Sequence, residues 1–286
     1  MKNALIDVPT LGVATAAAAQ PLGTNIPIRV CLFALAMLVS LPVAAQEQAT
    51  EQDLIGTPSP VQWSLGLAVI SSPRPYVGAS NTTTPIPMLE LYYKKLYIQG
   101  VQAGYHLMET ENFAFDVRAR FVFAGFDPDS SPFLEGMTKR RSSIEGGVVF
   151  DWKPGSYKLS ASGYTDLLGR SDGQQVGLDF SRTWMFDRSR WGLTPSIGVV
   201  WQSSDFVDYY VGVTPEEARP GRPAFRGQSA INFRSSILGY YFLTRRIQLV
   251  GQLQVQRLDN EIFESPIVDK RRSVSGFVGV AYRFGG

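Results

Sequence analysis

His106 is the single histidine of the 286-residue chain, and it limits the available chemistry at once. A three-histidine zinc site is impossible, and so is a site of two histidines and a glutamate. A serine–histidine pair would have to use His106. Its sequence neighbours Tyr105, Leu107 and Met108 offer no nucleophile, and Ser160 or Ser162 could reach it only through the fold. His106 is therefore read as structural, and a lipid hydrolase stands only as the third functional hypothesis. The remaining candidates are the carboxylates Asp116, Glu145, Asp151, Asp166 and Asp179 and the arginines Arg118, Arg120, Arg182 and Arg234. Such a set can form ion pairs, line a selective pore, or supply a carboxylate pair for acid–base work. Two basic runs, Lys139-Arg140-Arg141 and Lys270-Arg271-Arg272, could hold phosphates. No catalytic, metal or cofactor set emerges from this inventory.

The elements that must position these residues repeat with a period of two. Residues 113–124, FAFDVRARFVFA, place Phe113, Phe115, Val117, Ala119, Phe121 and Phe123 on one face and Asp116, Arg118 and Arg120 on the other. A helix would spread those charges around its axis, whereas a strand gathers them on one side. The same alternation recurs at 61–70, 143–152, 156–166, 191–202, 247–257 and 273–284. A soluble sandwich would bury the apolar face, and a transmembrane barrel would turn it to lipid. Segments of barrel-spanning length favour the barrel, since a tilted strand crosses a bilayer in about 9–11 residues. So do the short connections at 153–155, 187–190 and 244–246, which alternate with long ones at 126–140, 203–227 and 259–272. Aromatics near the turns, among them Tyr92, Tyr93, Tyr97, Trp152, Tyr157, Trp184, Trp191, Trp201, Tyr240, Tyr241, Tyr282 and Phe284, are candidates for two interfacial girdles.

The expected fold is thus all-β, an antiparallel transmembrane β-barrel of ten to twelve strands. Twelve is favoured, because Lys94-Lys95 looks like a turn and 96–107 would break near Gly100. A charge facing lipid at mid-membrane costs about 2–4 kcal/mol for Arg or Lys. Asp116, Arg118, Arg120, Glu145 and Asp151 should therefore point inward as a lumenal charge network.

Composition fits this reading without revealing it. The chain is 44% hydrophobic and 18% charged, with a formal net charge of +2. That argues against disorder and against a basic nucleic-acid binder. A single cysteine excludes a disulfide scaffold. The one long apolar run, 30–45, reads as a signal peptide cut after Ala45, so 1–45 is expected to be a cleavable signal with an extra N-terminal extension. Residues 46–60 read as a flexible periplasmic lead-in, and 61–286 as the barrel.

The last strand, with Val278, Val280, Tyr282 and Phe284 alternating, resembles the assembly signal of outer-membrane barrels, although Gly285 and Gly286 follow it. Four further blocks resemble the MipA/OmpV family of outer-membrane proteins. They are Pro75–Ser80 with Pro85–Leu89, Gly104–Leu107, Asp208–Ala218 with its Gly212-Val213-Thr214-Pro215 core, and Ser265-Pro266-Ile267-Val268. The resemblance implies a Gram-negative outer-membrane barrel without enzymatic activity. It also implies a scaffold that links a lytic transglycosylase to a peptidoglycan synthase in murein assembly. Expected partners are outer-membrane lipid and lipopolysaccharide together with those murein enzymes, with no nucleic acid. The alternative is a small outer-membrane transport channel. The 203–227 loop, with Thr214-Pro215 opening a short helical turn, is expected to fold over the barrel mouth.

Overall fold

Alternation alone fixes which side of each strand is apolar, and pairing then decides where that side points. A computed structural model describes residues 61–72, 74–79, 82–122 and 124–284. The signal peptide and lead-in expected over 1–60 lie outside the described residues. The strands are β1 (Val61–Ser72), β2 (Thr82–Tyr93), β3 (Leu96–Gln99), β4 (Gln102–Glu109), β5 (Phe113–Val122), β6 (Ser143–Trp152), β7 (Tyr157–Asp166) and β8 (Gln174–Arg182, resuming after Thr183 as Trp184–Phe186). They continue with β9 (Trp191–Gln202), β10 (Ala230–Phe242), β11 (Ile247–Arg257) and β12 (Arg272–Phe284). Two short helices, α1 (Ser204–Val211) and α2 (Asn260–Phe263), lie in long loops.

Each strand pairs antiparallel with the next, and both pieces of β8 pair with β9. β1 closes the ring on β12, from Trp63 opposite Phe284 to Ser71 opposite Gly276. The result is a closed barrel of twelve strands. Two turns decide the number. Lys94 adopts φ 54° between β2 and β3, and Gly100 adopts φ 58° at the end of β3, so the chain reverses after only four residues there. Glycine carries no Cβ penalty in that left-handed region.

The apolar face looks outward. Leu67 is 65% exposed while its neighbour Ala68 is 2% exposed, and Leu65, Val176, Leu178, Phe233, Leu253 and Val278 share the outer wall. Burying one such side chain is worth about 1.5–3 kcal/mol, so a belt of them requires an apolar solvent. The aromatic girdle needs one correction. Trp63, Tyr93, Trp152, Tyr157, Trp184 and Tyr241 stand on the outer wall, but Tyr97 and Tyr240 are buried inside. Strand alternation places Tyr92 and Tyr240 in the lumen beside outward Tyr93 and Tyr241, and the Tyr92 ring stacks on Tyr97 there at 6.4 Å between centroids.

The interior has two walls. Ala68, Ile86, Met88, Leu238, Val250, Phe277 and Ala281 form an apolar cluster on β1, β2 and β10–β12. The opposite wall, β3 to β10, carries the charges.

Candidate functional site: a lumenal network under a folded cap

The charged wall is built from alternate residues on neighbouring strands. Arg120 on β5 donates from Nε to Glu145 Oε2 on β6 at 2.8 Å, and its Nη2 lies 2.6 Å from the same oxygen. Its guanidinium sits 3.7 Å from the ring centre of Tyr164 on β7. Gln175 on β8 donates to Glu145 Oε1 at 2.6 Å, Gln202 on β9 donates to Gln175 at 3.2 Å, and Asn232 on β10 donates to Gln202 at 2.8 Å. A continuous hydrogen-bonded chain thus runs along the inner wall of the barrel from β5 to β10.

A second cluster centres on Asp116. Its carboxylate lies 2.7 Å from His106 Nδ1, accepts from Tyr97 Oη at 3.0 Å and pairs with Arg118 at 3.1 Å. Arg118 Nε donates to the same Tyr97 oxygen at 2.7 Å. The Tyr97 ring lies over Gly104 on β4, where an added Cβ would collide with it, and stacks on His106 at 4.7 Å between centroids. Among the described residues the His106 ring bonds only Asp116, with no serine hydroxyl beside it. No cluster of metal-ligating side chains occurs among the described residues.

The structure therefore places Arg120 with Glu145 and Asp116 with Arg118. Asp151 is buried on the same wall, where its Oδ1 has no hydrogen-bond partner and its charge lies near enough to Arg118 and Lys158 to act on both. Sequence reasoning named Asp179 and Arg234 without joining them. Arg234 Nε on β10 donates to Asp179 Oδ1 on β8 at 2.5 Å, and its Nη2 bonds Asp179 Oδ2. β9 runs between those strands, and the pair meets across Gly198, which faces both in register. A Cβ on Gly198 would strike the Asp179 carboxylate. Asp166 does different work. It accepts from the backbone N–H groups of Leu168 (3.0 Å), Arg170 (2.6 Å) and Ser171 (2.6 Å), and so folds the β7–β8 loop.

Above the lumen the long loops form a cap with an apolar core of its own. Ser203 starts α1 by accepting from Phe206 N at 3.4 Å, and Phe206, Val207, Tyr210 and Val211 are buried beneath it. Three sequence blocks converge here. Val77 N donates to Ile267 O at 3.0 Å, Asp269 N to Pro75 O at 2.9 Å, and Ser265 Oγ to Val211 O at 2.5 Å. Tyr76, Ile267 and Tyr210 are completely buried together. Gly212 N closes α1 on Asp208 O at 2.8 Å, Val213 exchanges two backbone bonds with Phe225, and Pro215–Glu217 form a 3-10 turn with proline first.

Glu217 and Arg222 lock this loop to the 123–142 loop. Glu217 accepts from Thr138 N (2.7 Å) and Thr214 N (3.2 Å) and pairs with Arg140 at 2.9 Å. Arg222 donates to the carbonyls of Glu217, Phe133 and Glu135 at 2.7, 2.5 and 3.2 Å. Of the run Lys139-Arg140-Arg141 expected to hold phosphates, two residues are ion-paired and Arg141 is exposed. Arg140 is buried against Glu217, and Lys139 pairs with Asp127 at 2.9 Å.

Burial works against ionising Glu217, but the two backbone donors and Arg140 outweigh it and hold its carboxyl below the usual value of 4.5. A carboxyl whose pKa is lowered by folding stabilises the docked loop above that value, and the contribution is lost as pH falls through the folded value. Acidification below about pH 4.5 should therefore raise amide exchange across 203–229 in the wild type. Glu217→Ala should remove about 1.5–3 kcal/mol of docking at neutral pH and flatten that acid response.

The family model described as MltA-interacting protein MipA matches residues 65–284. The chain belongs to the MipA family. The MipA-family relatives include the putative outer membrane protein YiaT of Escherichia coli (strain K12), 27% identical over 250 residues that cover 86% of this chain and 96% of the relative. The MltA-interacting protein of the same strain is 24% identical over 230 residues, 78% of this chain and 90% of that protein. Among solved structures, the COG4313 outer membrane channel from Pseudomonas putida F1 aligns with 83% of this chain and 100% of its own, at 8% identity and a TM-score of 0.43. The MipA-family chain is an outer-membrane β-barrel. Its Gly212–Pro215 and Ser265–Val268 blocks sit in the cap, far apart in sequence and in contact in space.

Proposed function

We propose that this MipA-family barrel is a non-enzymatic, non-conducting scaffold of the outer membrane that links a peptidoglycan hydrolase and a peptidoglycan synthase in murein assembly. The observation that carries the reading is a hydrogen-bonded network of side chains along the lumenal wall beneath a packed cap. In this reading Asp116, Arg118, Arg120, Glu145 and Asp151 stiffen the barrel wall. Val278, Val280, Tyr282 and Phe284 serve as its assembly signal, and 1–45 directs export. A relative's name states that it interacts with MltA, which supports a lytic transglycosylase as one partner.

The short turns face the periplasm in this reading, so a murein partner would dock at that end. Crosslinked envelopes should yield a peptidoglycan hydrolase and a synthase with the tagged barrel, and recovery of neither would sink the proposal. The rival channel reading draws on lumenal polar atoms without partners, such as Glu90 Oε1, Gln102 Oε1 and Gln248 Nε2, which suit a hydrated passage. Planar bilayers separate the two. The scaffold gives flat current traces, whereas stepwise conductance altered by Arg120→Gln would establish the channel.

A further inference from the structure

Both ends of the barrel carry exposed cations, with Arg141, Arg226 and Arg272 among those at the outer end, and the periplasmic set is distinguished by the aromatic girdle beneath it. At the outer end Arg140 and Lys139 are ion-paired, Lys270 Nζ donates to Arg74 O at 2.9 Å, and Arg271 lies 4.5 Å from the ring centre of Phe263. At the periplasmic end Lys94 and Lys95 (β2–β3 turn), Arg188 and Arg190 (β8–β9 turn) and Arg245 and Arg246 (β10–β11 turn) are all exposed. Those three turns hold one carboxylate, Asp187, 3.9 Å from Arg190, and the other two turns of this rim carry Glu111 and Lys153. Among the described residues Arg188 and Arg245 make no ion pair.

These cations are braced on the aromatic girdle. Lys94 lies 5.3 Å from the ring centre of Tyr93 and Arg190 5.2 Å from that of Tyr241, while Arg246 donates to Tyr282 Oη at 3.2 Å. All three rings stand on the outer wall. Tyrosine rings on the outer wall at a strand end sit at headgroup depth, so the charges they carry sit there too.

We propose that this rim is a binding surface for anionic phospholipids of the periplasmic leaflet, with the ammonium and guanidinium groups taking headgroup phosphates. The distribution selects that occupant. The β2–β3 and β8–β9 turns lie on opposite sides of the closed ring. A folded partner would cover one side, whereas a lipid annulus contacts all of them. The proposal stands independently of the scaffold reading.

Native mass spectrometry of the full barrel, released from bilayers of phosphatidylcholine mixed with phosphatidylglycerol, tests it. The wild type should retain phosphatidylglycerol preferentially. Arg245→Gln/Arg246→Gln and, on the other side, Lys94→Gln/Lys95→Gln should each weaken that preference by about fivefold per charge removed. The outer-loop variant Arg226→Gln should leave it unchanged. Equal retention of both lipids by the wild type overturns the proposal, and so does a preference that survives both double variants. Loss of the preference in inorganic phosphate, but not in chloride of equal ionic strength, assigns the cations to free phosphate and likewise overturns it.

Discussion

Arg234→Leu is expected to destabilise the barrel by about 3–5 kcal/mol, because it strands the Asp179 carboxylate without its counter-charge in a closed interior. Heat-modifiable gel mobility should show unfolding at a clearly lower temperature, and urea titration in detergent should show a lower midpoint. The double variant Asp179→Leu/Arg234→Leu separates pairing from packing. It removes both charges together, so it should regain most of the loss. If the single and double variants are equally unstable, the side-chain volume beside Gly198 matters and the ion pair does not. Arg234→Lys should rescue poorly, since an ammonium cannot reproduce the two-pronged contact made by the guanidinium.

Arg222→Ala should have its largest effect on the cap. The guanidinium is almost completely buried and satisfies the carbonyls of Glu217, Phe133 and Glu135. Removing it leaves those acceptors in a dry setting and frees the loop at 219–227 from the loop at 132–135. Each orphaned group costs about 1–3 kcal/mol, so the cap should open at least about 100-fold more often. Limited proteolysis of the reconstituted barrel is the direct readout, with cleavage expected within 203–229 while the strands stay intact. Exposed Arg226 gives the contrast, and Arg226→Ala should leave the cleavage rate unchanged. An intact loop in the Arg222 variant would show that the apolar core around Tyr76, Tyr210 and Ile267 holds the cap alone.

Both effects concern partners that lie far apart in sequence, and this marks what could be read from the chain. The face assignment on β5 was legible, because Asp116, Arg118 and Arg120 alternate with apolar residues and a strand has no third side. The β2–β3 turn at Lys94 and the reversal at Gly100 were legible too, since short-range turn signals announced them. The inward positions of Tyr97 and Tyr240 were missed, because clustering near turns says nothing about strand parity. The Asp166 loop cap was also missed. Its partners are backbone N–H groups, which no residue type advertises.

The sequence by itself determined the membrane barrel, since a period of two with apolar residues on one face and charges on the other suits a sheet with lipid outside and polar side chains within. It also marked the Gly212–Pro215 and Ser265–Val268 blocks as belonging together in one family. Only the tertiary structure decided who pairs with whom. Asp179 meets Arg234 across a strand that belongs to neither, and Glu217 meets Arg140 across two loops. Such pairings depend on strand register and on the packing of loops against one another, which bring positions 55 and 77 residues apart into hydrogen-bond range. A linear pattern carries the face of each residue but not its partner, because the partner is fixed only when neighbouring strands take their register and the loops fold over them.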